Sequence, residues 1–171
     1  NLSNPTDKEI ELVNRLTNLP EDYIKAALDE EERARIEVED GVLLTLFDIP
    51  VMEEDDKNDY YTYSTLPFAF ISNQKTVVTV CLKDSIITQN FIMNRVRGFA
   101  TWKRTRFLLQ LMYASSTKFL QYLRQIDKTS TRIQNELNRS MKNKELIQLL
   151  DIEKSLVYFS TSLRGNSFVI D

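Results

Sequence analysis

Residues 33–50 read RARIEVEDGVLLTLFDIP, and this stretch decides how the chain folds. Asp40-Gly41 is a strong signal for a two-residue hairpin turn, because Asp and Gly tolerate the positive φ angles that such a turn needs. Before the turn, Ile36 and Val38 alternate with acids, as on a half-exposed strand. After it, residues 42–49 are almost wholly apolar, as in a buried central strand. The pattern predicts a β-hairpin.

Two further strands are predicted downstream. They are YYTYSTLPFAFISN (60–73) and KTVVTVCL (75–82), joined by a turn at residues 72–75. Short turns between consecutive strands indicate a mainly antiparallel sheet. MEEDDKND (Met52–Asp59) is predicted to be a polar loop, and Cys81 is predicted to be a core residue of an alternating strand.

Two helices are predicted before the hairpin. Thr6 and Glu9 have the spacing of a capping box at the start of the first. Pro20 suits the first turn of the second. The acids of residues 29–32 then fall at the far end of that second helix, where the helix dipole disfavours negative charge.

The C-terminal part is predicted to be a helical hairpin. Residues 99–164 contain neither Gly nor Pro, and one helix of that length would extend about 100 Å. A break is predicted in its most polar part, NRSMKNKE (Asn138–Glu145), and Gly165-Asn166 is predicted to end the second arm. The apolar positions predicted to pack are Leu108, Leu111, Met112, Phe119, Tyr122, Leu123 and Ile126 on the first arm, and Leu149, Ile152, Leu156, Phe159 and Leu163 on the second.

These elements predict an α+β fold. A mainly antiparallel sheet flanked by helices, an α/β/α sandwich, is followed by an antiparallel helical hairpin. We expect an α/β head over residues 1–98 and the hairpin over residues 99–171.

Composition excludes several classes of function. The 171 residues include no histidine, one cysteine and three glycines, so Ser-His-Asp and Cys-His catalysis, internal disulfides and glycine-rich phosphate loops have no basis. No nucleophile–base pair is visible, and we expect no enzyme. Any metal site must use carboxylates and carbonyls, which suit Mg²⁺ or Ca²⁺.

Charge is divided unevenly along the chain. Residues 1–60 hold 18 acids and 6 bases, whereas residues 61–171 hold 7 acids and 16 bases. Such a division indicates either two surfaces that face each other, within a chain or between copies, or two separately solvated surfaces.

One basic segment, NRVRGFATWKRTRF (94–107), interleaves five bases with aromatic residues, as nucleic-acid binders do. No known motif supports that interpretation, and the pI near 5.2 opposes it. The alternative is a basic helix start that lies against the acidic first part.

The acidic stretch LDEEERARIEVED (28–40) offers candidate metal ligands. Asp29, Glu30 and Glu32 could bind a divalent cation through their carboxylates. The alternative is a solvated helix end, with Arg33 and Arg35 pairing with nearby acids.

Three segments together carry a family resemblance. ALDEEERARIEVEDGVLLTLFDIP (27–50) resembles the start of the conserved soluble domain of CorA-type magnesium transporters. FAFISNQKTVVTVCLKD (68–84) resembles that domain's next strand pair. NKELIQLLDIEKSLVYFSTSLRGN (143–166) resembles the helical region before its long stalk helix.

The resemblance implies the cytoplasmic regulatory and gating domain of a channel-like magnesium transporter, which could also carry cobalt or nickel. The full-length protein would be a homopentamer at the cytoplasmic face of the cell membrane. The initial strand, the stalk, both membrane helices and the family's Gly-Met-Asn signature would lie outside this chain. The alternative function is a free-standing helical interaction module with an α/β head and no transport role.

The resemblance also implies a regulatory magnesium site between neighbouring subunits. Lys25, Ala26 and Tyr113 occupy positions at which relatives carry acids, and Asp29, Glu30 and Glu32 are near enough to substitute. We expect the isolated chain to bind magnesium weakly and to self-associate weakly.

Overall fold

A computed structural model describes residues 1–55, 60–139 and 143–171. The chain forms a five-stranded sheet in the order β1-β5-β4-β3-β2, in which every neighbouring pair is antiparallel except β1 and β5. The strands are β1 (Leu2–Ser3), β2 (Arg35–Glu39), β3 (Val42–Asp55), β4 (Tyr60–Ser72) and β5 (Val77–Cys81). The helices are α1 (Asp7–Thr17), α2 (Glu21–Ala26), α3 (Ile86–Ile92), α4 (Arg104–Arg139) and α5 (Asn143–Ile170).

The hairpin between β2 and β3 confirms the first prediction. Glu39 pairs with Val42, and the two residues between them have φ angles of 49° at Asp40 and 77° at Gly41. Two successive positive φ angles are typical of a type I′ turn, which matches the twist of the strands that it joins. The capping box is confirmed too, because the Glu9 carboxylate accepts hydrogen bonds of 2.8 Å from both the backbone N–H and the hydroxyl of Thr6.

Strand β3 is longer than predicted. Residues 52–55, which we assigned to a polar loop, pair with the start of β4, and Glu53 stands opposite Thr62. The prediction was wrong because it equated polarity with a loop. Here two strands extend as a ribbon, and its Tyr63 packs on the helical hairpin against Tyr122 and Phe159. The Tyr and Thr residues of β4 also favour strand conformation. Residues 56–59 of the predicted loop lie outside the described residues.

Helices cover both faces of the sheet, which confirms the α/β/α sandwich. Helices α1 and α2 bury Ile10 and Ile24 against one face, and the segment between them buries Leu19 there. On the other face, α3, α4 and α5 pack on a second cluster that includes Phe47, Phe68, Phe70, Cys81, Phe91, Phe107, Leu111 and Val169. Because residues of the hairpin and of the sheet share this cluster, α4 and α5 are fixed to the head at their sheet ends.

Helices α4 and α5 form the predicted antiparallel hairpin. The rings of Phe119 and Phe159 lie 4.9 Å apart near its middle, whereas Ile133 lies near Gln148 further out. The break falls within the predicted segment 138–145, but α4 continues to Arg139 and α5 begins at Asn143. Residues 140–142 lie outside the described part of the chain.

The buried face of α5 differs from the predicted apolar seam. Leu156 and Leu163 are 41% and 36% exposed, whereas Ser155, Phe159, Ser162, Asn166 and Val169 are buried. The prediction counted apolar residues alone. Helix α5 packs against strands as well as against α4, and small hydroxyl residues permit that approach, since the hydroxyls of Ser162 and Thr65 are hydrogen-bonded to each other at 2.8 Å.

Gly165-Asn166 does not end α5, which continues to Ile170. A Cβ at Gly165 would stand 3.3 Å from the Cβ of Ala34, so the glycine allows the helix to approach the start of β2 closely. The adjacent Asn166 is buried and bonds to β3. The pair was interpreted as a local stop signal, but it serves a tertiary contact.

Two elements had no prediction. The short strand β1 pairs with β5, and α3 follows β5 with the Ser85 hydroxyl accepting a 3.1 Å hydrogen bond from Ile87 N–H. Helix α4 begins at Arg104 instead of near residue 99. The division into domains at residue 98 stays a prediction.

Candidate functional site

Residues 28–34 of the acidic stretch lie in the connection between α2 and β2 and not on a helix, and residues 35–39 form β2. Helix α2 ends at Ala26, two residues before the stretch begins at Leu28. The Asp29 carboxylate accepts a 3.0 Å hydrogen bond from Glu31 N–H, and the Asp29 carbonyl accepts a 3.2 Å bond from Glu32 N–H. These bonds turn the chain from α2 toward β2. The acids therefore avoid the helix C-terminus, where their charge would be unfavourable.

Only part of the acidic stretch is free to bind an ion. Asp29, Glu30 and Glu31 are exposed, whereas the half-buried Glu32 lies 2.6 Å from the Arg35 guanidinium. Arg35 also bonds to the Glu37 carboxylate, and Arg33 N–H donates a 2.9 Å bond to Glu32. Of the predicted pairing of Arg33 and Arg35 with nearby acids, that of Arg35 is confirmed, and that of the Arg33 side chain stays a prediction. A cation at Glu32 would have to displace this guanidinium.

The candidate ligands do not converge. Among residues 1–55, 60–139 and 143–171, no three His, Cys, Asp or Glu side chains are placed to hold a metal ion together. Asp29, Glu30 and Glu32 as a metal site therefore stay a prediction. The positions at which relatives carry acids supply no further carboxylate here. Lys25 Nζ lies 3.1 Å from Glu21 Oε2, Ala26 is buried and Tyr113 is 76% exposed.

The turn borders a charged groove that sequence reasoning missed. Glu30 and Glu31 lie beside the β4 segment 62–66 and the α5 segment 151–158, around a space of about 500 Å³. Glu53, Asp151, Lys83 and Lys154 also line it. Lys83 pairs with Glu53, and Tyr60 bonds to Asp151. No spacing in the sequence could bring these residues together, because they meet only through strand pairing and the return of α5.

A second, larger cavity lies at the opposite edge of the sheet. It has a volume of about 700 Å³ between β5, α3 and the start of α4. Its inner wall is aromatic, with the rings of Phe91, Phe99 and Phe107 packed 4.8–5.3 Å apart. Lys75, Trp102 and Arg104 lie at its rim, and Trp102 is 78% exposed. The basic segment 94–107 of the sequence borders this cavity.

The remaining candidates are structural. Cys81 is buried, as predicted, and burial raises the pKa of its thiol, so the thiolate that would react is disfavoured. Asp48 lies in β3, and burial raises its pKa, with a hydrogen bond from Ser162 acting in the opposite direction. None of the described helices has the combination of length and hydropathy that a membrane span requires.

Comparisons with known proteins agree with this architecture. A family model described as "CorA-like Mg2+ transporter protein" matches residues 1–171. No curated protein sequence matches the chain. The soluble domain of CorA from Methanocaldococcus jannaschii superposes with a TM-score of 0.83 at 18% identity, over 98% of this chain and 66% of that one.

Two further solved structures share the fold. The complete CorA magnesium transporter from Methanocaldococcus jannaschii gives a TM-score of 0.83 at 18% identity, and the match covers 98% of this chain and 52% of that one. The ZntB cytoplasmic domain from Vibrio parahaemolyticus RIMD 2210633 gives 0.66 at 16% identity, over 95% of this chain and 63% of that one. The chain thus spans between about half and two thirds of the length of these relatives.

Proposed function

Because the chain belongs to the family of CorA-like Mg²⁺ transporter proteins, we propose that it is the cytoplasmic regulatory and gating domain of a divalent-cation transporter. The observation that carries the proposal is the family match over all 171 residues. The domain contributes no catalysis. It acts by positioning the transporter's other parts and by responding to the ion inside the cell. Magnesium is the ion proposed, and cobalt or nickel are its alternatives.

The surface of α5 supports a role inside a larger assembly. Besides its buried face, α5 exposes many large apolar side chains, among them Leu146 (49%), Leu150 (62%), Val157 (59%) and Phe168 (77%). A helix that is apolar on several faces is normally packed on several sides. We propose that the stalk helix of the full-length transporter covers this surface. That helix would lead to the membrane segments, which anchor the domain at the cytoplasmic face.

We further propose a homopentamer for the full-length protein. Five copies around one axis would place the acidic turn of one subunit near its neighbour, where Asp29, Glu30 and Glu32 could share an ion with a second subunit. Divalent cations bound in this way screen the repulsion between acidic subunits. Their loss would let the subunits move apart, which is a physical route from ion concentration to gating.

The coding sequence beyond residue 171 is the first test. The proposal expects two apolar spans of about 20 residues each with Gly-Met-Asn between them. A natural stop codon directly after this segment would contradict the proposal and favour a free-standing interaction module.

A chimaera is the functional test. This chain would replace the matching segment of the Methanocaldococcus jannaschii transporter, and magnesium uptake would be followed in cells that require added magnesium. The expected result is a pentamer whose uptake decreases as internal magnesium rises. The transporter with its own domain is the positive control, and one without a soluble domain is the negative control. A chimaera that reaches the membrane in normal amount but transports no better than the negative control would contradict the proposal.

A further inference from the structure

The cavity between β5, α3 and the start of α4 has the size and the wall of a small-molecule site. Its volume of about 700 Å³ lies within the range of about 300–1,000 Å³ that such sites occupy. The rings of Phe91, Phe99 and Phe107 form its aromatic wall, and Trp102 stands at the rim with 78% of its surface exposed. Aromatic side chains at the wall and at the rim favour a flat ring as the occupant.

Two buried hydroxyls restrict what that ring must carry. Thr79 and Thr88 line the cavity and are 6% and 5% exposed. The Thr79 hydroxyl donates a 2.9 Å hydrogen bond to Asn1 Oδ1, and the Thr88 hydroxyl donates a 2.9 Å bond to the Ser85 carbonyl. A hydroxyl has a single proton, so each oxygen is left as an acceptor only. A ligand group that meets these oxygens must therefore be a hydrogen-bond donor, such as an N–H group of a heterocyclic ring.

The rim of the cavity supplies positive charge. Lys75 and Arg104 lie there, and the described residues that line the cavity include no acid. The Arg104 guanidinium donates to the Asn73 carbonyl, which holds it in place while its other N–H groups remain as donors for a ligand. Helix α4 begins at Arg104 with no acid in its first turn, so the partial positive charge of the helix N-terminus adds to that of the rim.

Charges of the same chain do not neutralise this rim. No ion pair within the described ranges includes Lys75 or a base of the segment 94–107. The expectation that this basic helix start lies against the acidic first part of the same chain therefore has no ion pair to support it. The rim is free to bind an anionic group of a ligand.

We propose that this cavity binds a nucleotide, with the base against the aromatic wall and the phosphate at the basic rim. Each observation concerns a different part of that ligand. The aromatic rings pack against the base, the oxygens of Thr79 and Thr88 accept hydrogen bonds from its N–H groups, and the cations of Lys75 and Arg104 bind the phosphate. The site depends on this cavity and not on the proposed transport function.

Titration with adenosine monophosphate (AMP) tests the proposal on the intact 171-residue chain. Trp102 is the only tryptophan of the chain, so a base that packs beside it should change the emission in a saturable way. Calorimetry measures the dissociation constant, which should be submillimolar and should increase with salt. Adenosine lacks the phosphate and inorganic phosphate lacks the base, so each should bind about tenfold more weakly or worse.

Two exposed positions at the rim can be changed without risk to the core. Lys75→Gln should weaken AMP binding about two- to fivefold and leave adenosine binding unchanged, because it removes a charge that only the phosphate uses. Trp102→Ala should weaken both ligands about tenfold, because it removes an aromatic surface that only the base uses. Lys128→Gln is the matched control, since it makes the same charge change on an exposed part of α4 about 35 Å from Arg104.

A change in the ligand matched to a change in the protein tests the hydroxyls. Purine riboside monophosphate is AMP without its amino group, and the natural chain should bind it about three- to tenfold more weakly. Thr79→Val with Thr88→Val removes both acceptor oxygens and keeps the side-chain shape, so this variant should bind the two ligands equally. Circular dichroism shows whether the variant is folded. If it is not, the comparison of the two ligands on the natural chain still decides whether an N–H donor is required.

The outcomes that would overturn the proposal are distinct. They are the absence of submillimolar AMP binding, equal binding of AMP and adenosine or of AMP and phosphate, and equal binding of AMP and purine riboside monophosphate by the natural chain. An affinity that neither Lys75→Gln nor Trp102→Ala changes would place AMP elsewhere and overturn it too. A single-stranded oligonucleotide that binds more tightly than AMP at equal nucleotide concentration would overturn it in favour of a nucleic-acid partner.

Discussion

The side-chain amide of Asn166 in α5 forms two hydrogen bonds with the backbone of Asp48 in β3. These are the bonds that a neighbouring strand would otherwise make. Asp48 N–H donates to Asn166 Oδ1 at 2.7 Å, and Asn166 Nδ2 donates to the Asp48 carbonyl at 2.8 Å. Strand β2 does not reach Asp48, because it begins at Arg35, which pairs with Leu46. On the other side Asp48 stands opposite Pro67 in β4, and a proline fits there because the N–H and C=O of Asp48 both point away from β4, toward Asn166. The carboxamide thus satisfies two backbone groups that the sheet leaves open.

Asn166→Ala should destabilise the fold by about 1–3 kcal/mol, because it leaves a buried N–H and a carbonyl with fewer partners. Urea unfolding followed by circular dichroism measures the loss. Ser167→Ala, at the exposed neighbouring position of the same helix, is the control and should change stability by less than about 0.5 kcal/mol. Equal stability of the two variants would show that these two hydrogen bonds contribute nothing.

The contact between Asn166 and Asp48 also shows which kind of feature could not be predicted from the sequence. The Asp40-Gly41 turn and the Thr6–Glu9 capping box were predicted because their physics lies within four residues. Gly165-Asn166 carries the same local signal as a helix end, yet its role is set by Ala34 and Asp48, which are more than a hundred residues away. The charged groove around Glu30 and Asp151 could not be predicted for the same reason. Local sequence determines the helices and strands, but the packing of these elements against each other determines the roles of residues such as Gly165 and Asn166.

The packing face of α5 can be tested by truncation. Phe159→Ala should destabilise by about 3–5 kcal/mol, because the ring is fully buried between Phe119 and Tyr63. Leu163→Ala should cost less than about 1 kcal/mol, since that side chain is 36% exposed. Thermal and urea unfolding measure both. If Leu163→Ala cost as much as Phe159→Ala, the seam predicted from apolar spacing would be the correct one.

The turn between β2 and β3 depends on backbone freedom alone. A Cβ at Gly41 would meet no atom within 4 Å, but φ is 77°. Gly41→Ala should therefore cost about 1 kcal/mol without any steric clash. Asp40→Asn is the matched control, because Asn also tolerates positive φ, and its stability should equal or slightly exceed that of the natural chain. An unchanged unfolding midpoint for Gly41→Ala would contradict the type I′ assignment.

Asp48 should make stability depend on pH. Burial raises the pKa of this carboxyl, and the hydrogen bond from Ser162 offsets the shift only in part. The folded state therefore binds the proton more tightly than the unfolded state does, so the contribution of Asp48 falls as pH rises from the ordinary aspartate pKa of about 3.9 through the raised value. The Asp48→Asn variant has no carboxyl at this position and should not lose this stability as pH rises.

The stability of the Asp48→Asn variant relative to the natural chain should increase between the ordinary aspartate pKa and the raised pKa of Asp48. It should then stay constant toward neutral pH. Urea unfolding at a series of pH values measures the difference. Asp127→Asn, on the exposed face of α4, controls for the general loss of one negative charge. A difference between Asp48→Asn and the natural chain that does not change with pH would mean that the carboxyl is not desolvated in the folded state.

The isolated chain should bind magnesium at millimolar concentration or not at all. Glu32 is held by Arg35, and no three acids among the described residues are placed to hold an ion together. Magnesium keeps several of its waters and takes few carboxylates from a protein, so a tight site needs a second segment to complete it.

Arg35→Gln should strengthen magnesium binding a few-fold because it releases the Glu32 carboxylate. Arg33→Gln changes a side chain for which the structure describes no such pairing, and it should have less effect. Calorimetry measures each affinity. A micromolar affinity of the natural chain that disappears in Asp29→Asn with Glu32→Gln would show that one chain holds the complete site, and sensing would then need no neighbouring subunit.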